Sequence, residues 1–241
     1  MSALELIHRK PNDIIMICDE VQCGFGRCGA PYMWAFQHNS GLECVPDIVT
    51  LGKPMGNGFP LGAVVTSAEV MKRFQVNNHY MEFFSTFGGN PVACAAGLAV
   101  LHVIETEQLL THTSKVGTYL IQKLLDLQKT WNKSPHRVCY IGDVRGQGLF
   151  IGVELVTSLT SLEPATLVTK SLIDQLTLKP YYILLSKEGQ FNNVLKIKPP
   201  LCFTSQNADY LVTSIHKVLS NINLQKNNNK VIPNASPPAK L

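Results

Sequence analysis

Charge is scarce in this sequence. Asp, Glu, Lys and Arg together make up 16% of the 241 residues, and the formal net charge is +4. No basic cluster or stripe of the kind that tracks a nucleic-acid backbone is present, so no nucleic-acid partner is expected. Long apolar runs are lacking too. None approaches the ~20 residues that a membrane-spanning helix requires, and no membrane partner is expected. The N-terminus, Met1 to Lys10, carries its charges after a very short apolar patch. That is the reverse of a secretory signal and unlike an Arg-rich transit peptide, so no targeting segment is readable. The seven cysteines, Cys18, Cys23, Cys28, Cys44, Cys94, Cys139 and Cys202, are odd in number and mostly lie in apolar runs. They read as reduced thiols of an intracellular protein, mitochondrial or cytoplasmic. The spacing of Cys18, Cys23 and Cys28 is wider than that of paired zinc ligands, and no His-x-x-x-His follows, so no metal site is expected.

What is present suffices for a core: 45% of the residues are hydrophobic, which allows one large domain or two modest ones. Residues 14–18, Ile-Ile-Met-Ile-Cys, form an apolar run that ends in Asp19-Glu20. This is the pattern of a buried parallel strand reaching its C-terminal edge. Pro46 to Leu51 and Gly62 to Thr66 repeat the pattern. Such strands belong to an open α/β sheet, where ligands bind outside the carboxyl ends of the strands. Asp19 and Lys53 both follow such an end. From Pro91 to Glu107 an apolar helix is predicted, with Asn90 as N-cap and burial on nearly all sides. An amphipathic helix covers 108–130. Beyond the breaker Asn132-Lys133-Ser134-Pro135 the pattern changes to α+β, with strands near 138–141, 148–155, 181–186 and 194–198 and helices near 164–178 and 206–221. Past Asn221 there is little to bury, which reads as a disordered tail.

Gly24-Phe25-Gly26-Arg27-Cys28-Gly29 satisfies G-x-G-x-x-G after a strand. The dinucleotide reading needs a helix to begin there. Pro31, Tyr32 and Trp34 follow instead, and two acids at the strand end would repel phosphate. Lys53, in Thr50-Leu51-Gly52-Lys53-Pro54-Met55-Gly56-Asn57-Gly58, stands at a strand end among glycines that let a ligand approach the backbone. Burial there would free its amine for Schiff-base chemistry; read alone, an exposed loop lysine remains the alternative. Asp19 alone reads as a loop cap. Together with Lys53 it supplies what a pyridoxal cofactor needs, a carboxylate that keeps the ring nitrogen protonated.

Asp19-Glu20-Val21-Gln22-Cys23-Gly24-Phe25-Gly26-Arg27, then Pro46 through Lys53, then Ser85-Thr86-Phe87-Gly88-Gly89-Asn90-Pro91 follow in order. With Val144-Arg145-Gly146-Gln147-Gly148-Leu149 and Lys198-Pro199-Pro200-Leu201, they resemble the landmarks of class III aminotransferases. The resemblance implies the fold type I (aspartate-aminotransferase-type) α/β architecture. Residues 1–108 would be the C-terminal part of the large cofactor domain, 109–221 the small α+β domain, and 222–241 the tail. It implies pyridoxal 5′-phosphate held covalently by Lys53, with Asp19 on the pyridinium nitrogen, Val21 against a ring face and Gln22 near the ring hydroxyl. Thr86 would reach the cofactor phosphate of a neighbouring subunit, which implies a homodimer with shared active sites acting on a small-molecule amine. Arg145 reads equally as a substrate-facing cation or a structural turn, and Trp34 and Trp131 as core.

Where many family members carry Arg before Pro-Pro, this chain has Lys196-Ile197-Lys198. Lys binds phosphate as a point charge and lacks the bidentate fork for carboxylates. The strand, with Leu51 to Gly58 and Pro164-Ala165-Thr166, is similar to the alanine-glyoxylate-aminotransferase-like branch, which includes phospho-lyases acting on ethanolamine phosphate. The resemblance thus implies elimination, with ordinary transamination as the alternative. Family subunits are longer, with an N-terminal half that carries the Gly/Ser phosphate loop and the ring-stacking aromatic. A fragment is therefore expected, and an inactive chain acting as a binding partner is the rival from another class.

Overall fold

The computed structural model describes residues 14–40, 45–77, 85–224 and 231–233. The chain divides into two compact units, Met1–Thr113 and Ser114–Leu241.

The first unit runs β1 (Ile17–Asp19), α1 (Ala35–Ser40), β2 (Ile48–Leu51), a 3₁₀ turn (Lys53–Gly56), β3 (Ala63–Thr66), α2 (Ala68–Asn77), α3 (Pro91–Thr106) and the start of α4 (Leu109–Trp131). Its three-stranded sheet has the order β1-β2-β3. β1 and β2 are parallel, with Asp19 opposite Thr50, so their carboxyl ends share one edge. β3 is antiparallel to β2 rather than parallel as expected. An apolar run records that a strand is to be covered and carries no record of its direction. The strands are also less covered than their composition predicts: Ile17 is 59% exposed and Val64 68%. α3 begins where expected, since the Asn90 side chain accepts the Ala93 N–H at 2.9 Å and Pro91 occupies the first turn. Its expected burial does not hold, because only Ala93, Gly97 and Ile104 are buried.

The second unit contains a four-stranded antiparallel sheet, β4 (Tyr140–Gln147), β5 (Phe150–Val156), β7 (Val194–Ile197) and β6 (Ser186–Glu188), in the order β4-β5-β7-β6. α4, α5 (Thr166–Thr177) and α6 (Ser205–Asn221) supply the rest of its core. Leu120, Leu155, Leu172 and Leu195 are fully buried there. Trp131 is core, as expected, and its indole N–H is satisfied by Cys139 O at 2.9 Å. α6 starts at a capping box in which Thr204 and Asn207 bond each other's backbone. The strand expected near 181–186 begins only at Ser186. Of the tail read as disordered, Ile222–Leu224 (β8) and Val231–Pro233 (β9) pair antiparallel, and Ile222 is buried. Among the described residues, no single helix is long and apolar enough to cross a membrane.

Candidate active site

The site grows from the shared edge of β1 and β2. Asp19 closes β1, and Lys53 lies two residues beyond the end of β2, so the ladder brings both to the same edge of the sheet. Asp19 is held closely. Its Oδ1 accepts the Val21 N–H at 3.0 Å and the Thr50 hydroxyl at 3.1 Å. Its Oδ2 has no hydrogen bond among the described residues. β2 ends because Gly52-Lys53-Pro54 turns the chain into the 3₁₀ segment, with the proline in its first turn. Lys53 is exposed. The desolvation expected for its amine is therefore not supplied by the described residues.

Val21 and Gln22 occupy the turn after Asp19, both partly buried. A Cβ added at Gly52 would stand 3.3 Å from Val21 Cγ1, so the glycine lets the Lys53 strand pass against Val21. Gly97 of α3 lets the helix pack close to Leu61 and beside the Lys53 turn, since a Cβ there would come within 2.9 Å of Leu61 Cδ2 and 3.8 Å of Met55 O. Thr86 stands exposed in the turn that leads into α3. Asp19, Val21, Gln22 and Lys53 thus share one edge, and Thr86 lies on a separate loop of the same unit.

The glycine-rich stretch does not form a dinucleotide cradle. Gly26 and Gly29 take φ values of 75° and 87°, and no helix starts until Ala35. The α1 N-terminus is already filled by a carboxylate. Glu20, 2% exposed, accepts the Ala35 N–H at 3.0 Å and the Phe36 N–H at 2.9 Å. Sequence reasoning missed both Glu20 and Thr50. An acid after an apolar run is a signal for Glu20, but its partners stand fifteen residues downstream. The cue for Thr50 exists only once the register of the parallel pair is known.

Burial and the nearby Glu20 charge push the Cys23 thiol up to about 12. Burial does the same for Cys28, to about 11, with Glu20 adding to it. These are packed thiols with little thiolate to offer a metal, and no cluster of metal-ligating side chains occurs among the described residues.

In the second unit Arg145 reads as structural. Its Nη1 bonds Asp143 Oδ2 at 2.7 Å and Glu154 Oε2 at 2.6 Å. Those bonds, Asp143's first, hold its pKa above the usual value. Lys196 is paired with Glu188, and that hydrogen bond holds the Glu188 carboxyl below its usual range. The Lys198 ammonium stands over the Phe150 ring, 6.0 Å from its centroid. The expected role of Lys196 as a phosphate cation is therefore weakened, because its charge is already met across the strand pair.

The family model for class III aminotransferases matches residues 2–219. The chain belongs to the class III aminotransferases. It is 47% identical over 207 residues to the Arabidopsis thaliana alanine–glyoxylate aminotransferase 2 homolog 2, covering 86% of this chain and 39% of that protein. It is 45% identical over 217 residues to the Caenorhabditis elegans ethanolamine-phosphate phospho-lyase homolog 1, covering 90% of this chain and 44% of the relative. Among solved structures, an Arthrobacter phospholyase in complex with phosphoethanolamine superposes with a TM-score of 0.71 at 41% identity, over 85% of this chain and 44% of that one. A transaminase with L-alanine superposes with a TM-score of 0.71 at 28% identity, over 86% and 46%. These neighbours bear out the α/β aminotransferase-type fold. The chain spans about two-fifths of the length of these curated relatives.

The site residues fit the family's cofactor. Asp19 Oδ2, without a hydrogen bond among the described residues, could accept from a protonated ring nitrogen, the exposed Lys53 amine could meet a carbonyl carbon, and Val21 beside Gly52 could offer an apolar ring contact.

Proposed function

We propose that this chain carries the Lys53–Asp19 half of a pyridoxal-phosphate site whose reaction is elimination of phosphate from an amine-bearing phosphate ester such as ethanolamine phosphate. The observation that supports the cofactor reading is the placement of both residues on one sheet edge, with Asp19 Oδ2 unengaged among the described residues. When bound, pyridoxal phosphate supplies an electron sink for charge that develops on the carbon bearing the amine. Asp19 would hold the proton of the ring nitrogen through Oδ2, and Val21 would orient the ring. Lys53 would hold the cofactor and, once released to serve as a base, would take the proton from the substrate carbon that bears the amine. In a lyase, loss of phosphate from the next carbon would follow; in a transaminase, Lys53 would hand that proton back and no phosphate would leave.

Elimination is favoured by the phospho-lyase relative and the phosphoethanolamine complex described above. Transamination is the second reading, because a relative of slightly higher identity is named an alanine–glyoxylate aminotransferase. The proposal includes a homodimer in which Thr86 reaches the partner's cofactor phosphate, and an intracellular location. Residues 1–108 would form part of the large domain and 109–221 the small domain.

Two measurements test this reading. Borohydride treatment of the protein with pyridoxal phosphate should fix the cofactor on Lys53 by mass spectrometry, and Lys53→Ala should abolish that label; an unchanged label would remove Lys53 from the site. The loaded protein, given ethanolamine phosphate without a keto acid, should release phosphate and ammonia together. Turnover only with a keto-acid acceptor would move the assignment to a transaminase, and binding without turnover of either kind would favour the inactive partner.

A further inference from the structure

We infer that Thr50 is a positioning residue for the cofactor: its hydroxyl selects which oxygen of Asp19 meets the ring nitrogen. The inference rests on the pyridoxal-phosphate reading above and deepens it.

An ionised carboxylate is an acceptor only, so the Thr50 Oγ1 must donate its one proton to Asp19 Oδ1 across 3.1 Å. The same oxygen takes the Val21 N–H at 3.0 Å. Two donors on Oδ1 fix the rotation of the carboxylate, and the remaining lone pairs on Oδ2 are those open to a ligand. The bond comes from the rigid part of the fold. Thr50 faces Asp19 directly in the parallel ladder, and its own carbonyl accepts the Glu20 N–H at 2.9 Å. A β-branched side chain on a strand has few rotamers to choose from, so the hydroxyl is held in place without a further partner. Glu20 secures the other side, because its buried carboxylate clasps the first N–H groups of α1. Thr50 also lies three residues before Lys53 on the same run of chain. One short segment thus sets both the acid that holds the ring nitrogen and the amine that holds the ring.

Valine has the shape of threonine without the hydroxyl, and serine keeps the hydroxyl. Thr50→Val and Thr50→Ser are therefore compared in the 241-residue chain by spectroscopic titration with pyridoxal phosphate. The ¹⁵N chemical shift of ring-labelled cofactor reports the proton on its nitrogen independently of turnover. Thr50→Val should weaken cofactor binding about tenfold, as expected for losing a hydrogen bond to a charged group, and should move the ring-nitrogen signal toward the unprotonated value. Thr50→Ser should restore both. In an Asp19→Asn background, Thr50→Val should have no further effect on binding, since the group it acts through is gone.

Equal weakening by valine and serine would mark a packing role and overturn the inference, as would an unchanged affinity and ¹⁵N signal in Thr50→Val. If Asp19→Asn itself leaves the ring-nitrogen signal where it was, the failure belongs to the Asp19 assignment and takes the Thr50 inference with it. Thermal melts of all variants separate either outcome from simple unfolding.

Discussion

Leu155, Leu172 and Leu195 of the second unit are completely buried, whereas Ile17, Val64 and Leu98 of the first stand 59%, 68% and 68% exposed. Both sets lie in apolar segments of ordinary strand or helix pattern. The difference is whether the described chain supplies the other half of the contact. In the second unit, the antiparallel sheet and the helices α4, α5 and α6 close on one another and leave one continuous core. In the first, the strands and α3 leave several large apolar side chains exposed, among them Ile17, Val64, Val65, Val92 and Leu98, the kind of surface that further structure covers. The candidate site lies in the less covered unit. A site assembled at the edge of a sheet needs its backbone frame at once, and its walls can come from elsewhere.

If the second unit is closed by its own core, its tight backbone contacts should be among its most sensitive positions. A Cβ added at Gly117 would fall inside the backbone of Gly148, which cannot yield as a side-chain tip does. Gly117→Ala should cost about 4 kcal/mol or more in denaturant unfolding, at the extreme of single-residue effects. Leu155→Ala, which leaves a cavity, should cost about 2–5 kcal/mol. A loss below about 1 kcal/mol at both positions would mean that this core is looser than its burial indicates.

The first unit has a comparably sensitive point in Glu20, where a buried carboxylate meets two helix N–H groups. Glu20→Gln replaces one acceptor oxygen with a donor aimed at a donor and removes a negative charge from the helix N-terminus. It should cost about 2 kcal/mol. Amide exchange at Ala35 and Phe36 should accelerate, while amides of β5 stay protected. If exchange quickens equally in both units, the two unfold together and the comparison fails.

Thiol chemistry gives a graded readout of the same contrast. Burial raises Cys139 of the second unit to about 12, as burial and the Glu20 charge do for Cys23 in the first, and Cys28 rises to about 11. For each, the folded state keeps its proton above the ordinary value of 9.0, where the unfolded chain loses it. Below pH 9 neither state releases a proton and stability is flat. From pH 9 toward 11–12 the unfolded state binds fewer protons, so stability falls as pH rises. At pH 8, iodoacetamide should modify the exposed Cys94 and Cys202 first and spare these three. With rising denaturant, Cys23 and Cys28 should become reactive before Cys139, and a single shared midpoint would contradict separate units.

How much of this was legible follows from which relations are local. Asn90 and Pro91 announced the start of α3 because a cap is a contact three residues long. The placement of Asp19 and Lys53 at strand ends was legible because each stands at or just past the end of an apolar run. The direction of β3 and the Thr50–Asp19 bond were not, since both depend on pairing between segments far apart in sequence. The exposure of α3 was illegible for another reason. Periodicity says which residues want cover, and the cover itself is a property of other chain segments. The pairing that weakens the expected phosphate role of Lys196 was illegible for the same reason, because Glu188 meets it only through the β6–β7 register, with Ser186 opposite Lys196.

The smallest effect is expected where the comparison is most exposed to contradiction, at Leu98. It lies on α3, 68% exposed, a large apolar side chain pointing away from the buried positions Ala93, Gly97 and Ile104. A leucine in that state has little apolar area to lose, so Leu98→Ser should change stability by no more than about 0.5 kcal/mol, with a slight loss of helix propensity as the main term. The same exchange at fully buried Leu172 of α5 should cost several times more. Unfolding midpoints of both variants, taken at low and high protein concentration, decide the matter. A cost near 2 kcal/mol at Leu98 that grows with concentration would mean that a second copy covers α3 in solution. A cost of that size without concentration dependence would mean that other residues of the same chain cover it. Either result would replace a contrast between a closed and an open unit with one between two closed units.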